Sequence, residues 1–261
     1  MPRLAIGLEY DGTPFCGWQH QQHARSIQTE VEAALSRVAD APVAVAAAGR
    51  TDAGVHALGQ VAHFDTGVLR EDRAWLLGAN SLLPPEIAIG WVRRVDATFD
   101  ARYSARARTY HYLILDRPAR PALRRDRVLW VRGALDVAAM QAAAPALLGE
   151  HDFSAFRAAG CQARSPMRDL QKLEVRRDGP LVVVECRANA FLHHMVRNIV
   201  GSLLRIGRGT EAPEWLAGVL AGRDRRTAGM TAAARGLYLS EVHYPDHLEI
   251  PRPASFRAGD L

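Results

Sequence analysis

Apolar and polar residues alternate from Arg3 to Asp11 and the run closes on Asp11-Gly12, the pattern of a half-buried strand entering a turn. Ser26 precedes a stretch of helical spacing that continues to about Ala39, which predicts a capped helix. Val43–Ala48 and Gln60–Asp65 read as strands flanking a Gly-bounded loop that begins at Gly49. Arg70–Leu83 reads as a helix stopped by Pro84-Pro85, and Ile87–Val95 as the next strand, giving the order β-α-β-β-α-β. That order recurs with strand Arg108–Asp116, helix Asp136–Leu148, strands Arg168–Arg177 and Leu181–Ala190, a helix over Phe191–Ile206 and a final strand Leu237–His243. A helix near Ala212–Leu220 and the loops Arg117–Trp130 and Arg157–Pro166 are insertions on this plan.

The pattern predicts an α+β chain of two tandem β-α-β-β-α-β halves of the ferredoxin or RRM kind, 1–104 and 105–261. The halves are expected to merge into one mainly antiparallel sheet, with helices on one face and a central active-site cleft. The N-terminal half carries the loop at Gly49 and the C-terminal half the segments around Tyr110 and Arg197.

Composition narrows the function classes. With 48% hydrophobic and 23% charged residues the chain is globular in character, and no apolar run approaches the length of a membrane span. The opening residues lack the uncharged core of a secretory signal, so the expected setting is soluble and cytoplasmic, with no membrane partner. Cys16, Cys161 and Cys186 stand far apart, which suggests neither a disulfide framework nor a zinc site, and all three are expected to be reduced and mostly packed. The formal net charge is +5, and Lys172 is the single lysine among 33 basic residues. Between Arg102 and Arg132 nine arginines face only Asp116 and Asp126, so this segment alone exceeds the surplus of the whole chain. Tyr103, Tyr110, Tyr112 and Trp130 are interleaved, which fits a polyanion bound by guanidinium forks and ring faces, and equally a solvated basic face whose aromatics turn into the core.

Two segments carry candidate chemistry. In Ala48-Gly49-Arg50-Thr51-Asp52-Ala53-Gly54-Val55-His56-Ala57, the glycines permit a tight loop and small Ala53 admits a large substrate, leaving Arg50 and Asp52 to project. A carboxylate two residues from a guanidinium is favoured in its charged form, as a nucleophile or base requires, and an Arg–Asp pair that merely holds the loop has the same spacing. On a helix over Phe191–Ile206, Leu192, Val196, Ile199 and Leu203 face the core, while His193, Arg197 and Gly201 share a neighbouring face. Arg197 then lacks a local acidic partner and wants an anion, or else snorkels to the surface. The pair His193-His194 is not read as a metal site, because neighbours on a helix diverge and no third ligand spacing accompanies them.

Four segments together resemble the tRNA pseudouridine synthase A family. They are Tyr10-Asp11-Gly12-Thr13-Pro14-Phe15-Cys16-Gly17-Trp18-Gln19, the Gly49–Ala57 loop, Arg108-Thr109-Tyr110-His111-Tyr112, and Phe191-Leu192-His193-His194-Met195-Val196-Arg197-Asn198-Ile199-Val200-Gly201. Their order is the family's, and the resemblance spans nearly the whole chain. His111 stands where a basic residue is commoner. The resemblance implies isomerisation of uridine to pseudouridine at positions 38 to 40 of the tRNA anticodon stem-loop, by a homodimer that flips the base and needs neither cofactor nor metal. It further implies that Asp52 is the essential carboxylate, that Arg50 contacts the target base or takes its place, that Arg197 pairs with Asp52, and that Tyr110 stacks on the uracil. Arg70, Arg102, Arg117, Arg120, Arg124, Arg125, Arg157 and Arg164 are the weaker candidates for contacts to the RNA backbone.

Two other readings exist. Asp65-Thr66-Gly67 matches the aspartic-peptidase triplet, but a Thr-Gly turn at a strand end is ordinary and an arginine stripe has no role in a peptidase. A non-catalytic RNA-binding module would share the fold, but the strands lack the RRM aromatic signature and such a module has no use for Asp52.

Overall fold

The computed structural model describes residues 1–260. In chain order the elements are β1 (Arg3–Tyr10), α1 (Ile27–Ala39), β2 (Ala46–Ala47), β3 (His56–Asp65), α2 (Asp72–Asn80), β4 (Ile87–Val95), β5 (Ala107–Asp116), β6 (Leu129–Val131), α3 (Val137–Ala143), β7 (Gly149–Asp152), β8 (Met167–Asp178), β9 (Leu181–Ala188), α4 (Met195–Gly207), α5 (Trp215–Gly222) and β10 (Leu237–His243). They fall into two compact units. None of the described helices is long and apolar enough to cross a membrane.

The first unit comprises Met1–Arg106 and Tyr238–Ser255. Its strands run β4-β1-β3-β10, with β1 antiparallel to both β3 and β4, and β10 parallel to β3 at Tyr238–His56 and Leu239–Ala57. α1 begins where expected, because the Ser26 side chain accepts the Thr29 N–H and so satisfies one of the orphan donors of the first turn. α2 packs against α1 and β4 and drives Trp75 into full burial, edge-on to Phe64 at 5.2 Å between ring centroids.

The second unit comprises Ala107–Leu237 and the residues from Phe256 on. Its strands run β5-β9-β8-β7 with antiparallel pairing throughout, and the short β6 lies parallel to the end of β5. α4 is almost wholly buried, with Leu192 just ahead of it and Val196, Ile199 and Leu203 in the core as the periodicity required. Both units are thus α+β with mainly antiparallel strands.

Several elements differ from the sequence expectation, each for a local reason. Val43–Ala48 shrinks to the two-residue β2, because the Val43 and Val45 N–H groups donate instead to Ser36 Oγ at 2.9 Å and Glu32 Oε1 at 3.0 Å on α1. The helix over Asp136–Leu148 becomes α3 followed by a 3-10 turn over Ala144–Leu147, where Pro145 removes an N–H. Two further strands are too short for alternation to reveal: β6, at the end of the inserted Arg117–Trp130 loop, and β7, just after the 3-10 turn over Ala144–Leu147. The helix expected from Phe191 begins only at Met195, because His194 holds φ 60°. Of the three free cysteines only Cys186 is buried; Cys161 is half-buried and Cys16 exposed.

Candidate active site

In the first unit the loop from Gly49 to Val55 joins β2 to β3 and is fastened at its backbone. The Thr51 carbonyl accepts the Trp18 N–H at 3.0 Å, Val55 N–H closes a turn onto the Asp52 carbonyl at 3.1 Å, and the Gly49 carbonyl accepts Gln60 Nε2 at 2.7 Å. The Thr51 side chain shares a buried hydrogen bond of 2.8 Å with the Tyr10 hydroxyl. Burial pushes that phenol up to about 12, although the Thr51 and Gln60 contacts pull the other way, so it is a neutral strut across the neutral pH range. His56 stacks on Tyr238 with ring centroids 4.7 Å apart, its Nδ1 facing the Gly12 N–H at 3.2 Å and the Asp11 carboxylate at 3.1 Å.

The Tyr10–Gln19 segment is therefore a brace for this loop, a role its residue types did not announce. Gly17 has φ 91° and lies so close that a Cβ would stand 2.6 Å from the Thr51 oxygen; at Gly12 a Cβ would stand 2.0 Å from the Val55 oxygen. The expectation that both loop glycines free the backbone holds for Gly54, at φ 74°, but not for Gly49, which has no positive φ and open space around it. Held this way, Asp52 is half-buried, Ala53 is exposed beside it, and Arg50 projects into solvent. Among the described residues Arg50 forms no ion pair, so the loop is held by backbone bonds, Tyr10 and Gln60 and not by an Arg50–Asp52 bridge.

In the second unit Tyr110 lies on β5 opposite Cys186 of β9, 9% exposed, with its ring edge-on to Phe191 at 5.1 Å. Arg197 sits in the first turn of α4 and is half-buried; its Nε donates to the Ala232 carbonyl at 2.7 Å, and the Ala232 N–H returns a bond of 3.1 Å to the Arg197 carbonyl. It is an anchored side chain and not a snorkelling one. Because α4 starts late, His193 and His194 lie ahead of the helix with their rings 4.0 Å apart, which removes the argument that helical neighbours diverge. The His193 N–H points at Cys161 Sγ at 3.4 Å and its carbonyl accepts the Ala158 N–H, so this strip is tied to the loop after Phe156. Burial alone would raise the Cys161 thiol, but the His193 and Ala163 N–H groups and Arg157 bring it below its ordinary value.

The candidate phosphate-binding arginines fall into two kinds. Arg120, Arg125 and Arg164 are exposed, as are Arg70 and Arg102, whereas Arg124 and Arg157 are half-buried. Arg102 lies over the Tyr103 ring at 5.4 Å, and Tyr103 is 79% exposed. Arg117 folds onto the Ala119 carbonyl at 2.8 Å, and Arg157 Nη2 bonds the Cys161 and Ala163 carbonyls at 2.7 and 2.8 Å, so both also shape their own loops. The interleaved aromatics divide likewise: Tyr112 is buried, its hydroxyl donating to the Ala233 carbonyl at 2.6 Å, while Tyr103 faces solvent. Asp65 of the peptidase-like triplet is held by Arg3 in a two-point pair at 2.8 and 2.7 Å that keeps its carboxyl below the usual range, a structural role at the end of β3. His111 is buried, stacked on Phe256 at 3.8 Å, and lies 3.6 Å from Glu185, the carboxylate that also pairs with Lys172.

One α+β unit thus presents a half-buried carboxylate on a fastened loop, and the other holds an anchored guanidinium in the first turn of a helix. Residues 7–104 and 143–245 match the family model described as tRNA pseudouridine synthase. The chain is 56% identical over 254 residues to the tRNA pseudouridine synthase A of Methylococcus capsulatus, covering 97% of this chain and 94% of that protein. It is 53% identical to the enzyme of that name from Hydrogenovibrio crunogenus, over 97% of this chain and 96% of the other. It is 54% identical to that from Aeromonas salmonicida, over 96% and 93%. The chain belongs to the tRNA pseudouridine synthase family, whose members are isomerases.

Proposed function

We propose that the protein converts uridine to pseudouridine at positions 38 to 40 of the tRNA anticodon stem-loop, as a cytoplasmic homodimer and without cofactor or metal. The observation that carries this reading is the Gly49–Val55 loop: in a member of this family, a half-buried Asp52 stands next to an exposed Ala53 on a backbone fastened at Thr51, Asp52 and Gly49. A carboxylate so presented does chemistry on a large substrate that approaches from the Ala53 side. Asp52 is the essential carboxylate, and Arg197 is the cation that keeps it ionised when RNA excludes water. Tyr110 stacks on the flipped uracil and Arg50 engages the base or the space it vacates, which recovers the few kcal/mol that unstacking costs. Arg70, Arg102, Arg117, Arg120, Arg124, Arg125, Arg157 and Arg164 hold the backbone.

The reaction breaks the bond between C1′ and N1 and joins C1′ to C5; the proton on C5 leaves to solvent and N1 takes one up, so the base keeps its composition. Tritium release from C5-labelled uridine in tRNA therefore tests the reading directly. Release by the protein alone, lost when uridines 38 to 40 are replaced by cytidine, is the expected result. No release from any tRNA would overturn the activity, and release that survives the replacement would overturn the position.

A further inference from the structure

The segment between α5 and β10 forms no strand and no helix beyond one 3-10 turn, yet Ala228, Gly229 and Ala232 within it are buried. Its backbone meets α4 directly at two glycines: a Cβ on Gly201 would stand 1.7 Å from the Met230 oxygen, and one on Gly229 would stand 2.3 Å from the Gly201 oxygen. Around that contact lies a closed polar network. Asn198, fully buried, donates to the Phe156 carbonyl at 2.7 Å, and its Oδ1 accepts from Thr231 Oγ1 at 2.6 Å and Arg225 Nη2 at 3.0 Å. Arg225 also donates to the Gly229 carbonyl at 2.9 Å and to Thr231 Oγ1 at 3.1 Å. Ser202 Oγ completes the set, donating to the Asn198 carbonyl at 3.0 Å and accepting the Gly229 N–H at 2.9 Å.

Arg225 is an unusual investment. Its guanidinium is half-buried and its hydrogen bonds go to three neutral acceptors, an arrangement that returns little stability for the desolvation of a charge. What it does achieve is to fix residues 229–231 to Asn198, one residue along α4 from Arg197. The next residue, Ala232, offers the carbonyl that receives Arg197 Nε. We propose that Arg225, Asn198 and Thr231 are positioning residues for Arg197: they set the Ala232 carbonyl, and through it the direction in which the Arg197 guanidinium points. This rests on the reading that Arg197 serves the reaction, and it adds the second layer that a guanidinium on a flexible stem needs to hold one geometry.

The test compares single-turnover rates at saturating tRNA with tRNA affinity, at a temperature where every variant is folded. Thr231→Val, which keeps shape and removes the hydroxyl, is expected to slow the chemical step by about ten-fold with affinity within about two-fold, and Arg225→Met by more. Thr231→Ser, which restores the hydroxyl, is expected to restore the rate. Leu220→Ala in α5 of the same unit, matched for loss of Tm, is expected to keep its rate. Should Arg225→Met fail to fold, Thr231→Val decides. Wild-type rates in folded Thr231→Val, or an equal slowing in Leu220→Ala, overturn the proposal. Arg197→Ala, run in parallel, separates the layers. If it keeps the wild-type rate, the role of Arg197 falls and the proposal with it. If it is slow while Thr231→Val is not, only the positioning claim falls.

Discussion

The Gly49–Val55 loop and the Arg117–Val128 loop are both polar connections carrying arginine, and they are built in opposite ways. The first is held from outside itself, by Trp18, Tyr10 and Gln60, with glycines placed where no Cβ fits. The second is held largely by its own carbonyls, Arg117 folding onto Ala119 and the Arg127 and Val128 N–H groups turning back to Arg124, and it leaves Leu123 98% exposed. If Asp52 meets a reacting atom, as proposed, it has to be placed within fractions of an ångström, and an over-determined loop is what that requires. Long guanidinium stems that meet phosphates tolerate a softer support, because Coulomb attraction falls off slowly with distance.

The comparison breaks first at Asp52. Asp52→Asn is expected to lower the isomerisation rate at least about a thousand-fold while tRNA affinity stays within several-fold, as rapid-quench kinetics and filter binding will show. A variant that keeps substantial activity removes the carboxylate from the chemistry. Gly17→Ala sharpens the same contrast without touching a functional group. A methyl against the Thr51 carbonyl at φ 91° should cost about 2 kcal/mol in urea denaturation and slow turnover further than that loss explains. An equivalent Gly133→Ala, at φ 93° in open space, should cost less and leave turnover alone.

A third measurement concerns the frame that leads into the second loop. β5 enters it at Arg117, and on its neighbour β9 the Glu185 carboxyl is held down to about 2, by His111 first and by Lys172 against the opposing effect of burial. A carboxyl lowered by folding stabilises above its unfolded value near 4.5 and loses that contribution as pH falls towards 2. The expected loss across that window is on the order of 2 kcal/mol, and Glu185→Gln should flatten the acid arm of a stability-against-pH curve. The smallest effect belongs to the soft loop. Arg124→Ala with Arg125→Ala should reduce the slope of log affinity on log salt by about one to two, similarly for cognate and non-cognate tRNA, with the bound-state rate little changed. An unaltered slope would place the RNA surface elsewhere.

The strands β4, β8 and β10 and the helix α1 were legible in the sequence because each carries its own period or cap. The short extent of β2 was not, since the Val43 and Val45 N–H groups ahead of it go to side chains of α1 that spacing cannot locate. The start of α4 was misread for a similar reason, as apolar spacing runs on through Phe191 and Leu192 while a left-handed His194 breaks the helix. Asp52, Tyr110 and Arg197 stood out as residue types in motifs, but their supports did not. Nothing in Gly17 announces its contact with Thr51, more than thirty residues away in sequence, nor in Gln60 its bond to the Gly49 carbonyl, and the run Arg225–Gly236 has no periodicity at all. Its small residues and Gly229 were the available sign that backbone meets backbone there.

Lys172 stands between Glu174 and Glu185, 2.8 Å from each, and these partners raise its pKa above the ordinary lysine value. Every other basic side chain of the lysine or arginine kind is a guanidinium, which neither acetyl transfer to an amine nor any pH the fold survives will discharge. The lysine and arginine charge available to a polyanion is therefore nearly beyond the reach of acyl transfer, and acidity can alter the positive side chains only through the ten histidines. The concentration of competing ions reaches the guanidinium part directly, because it screens every such charge alike.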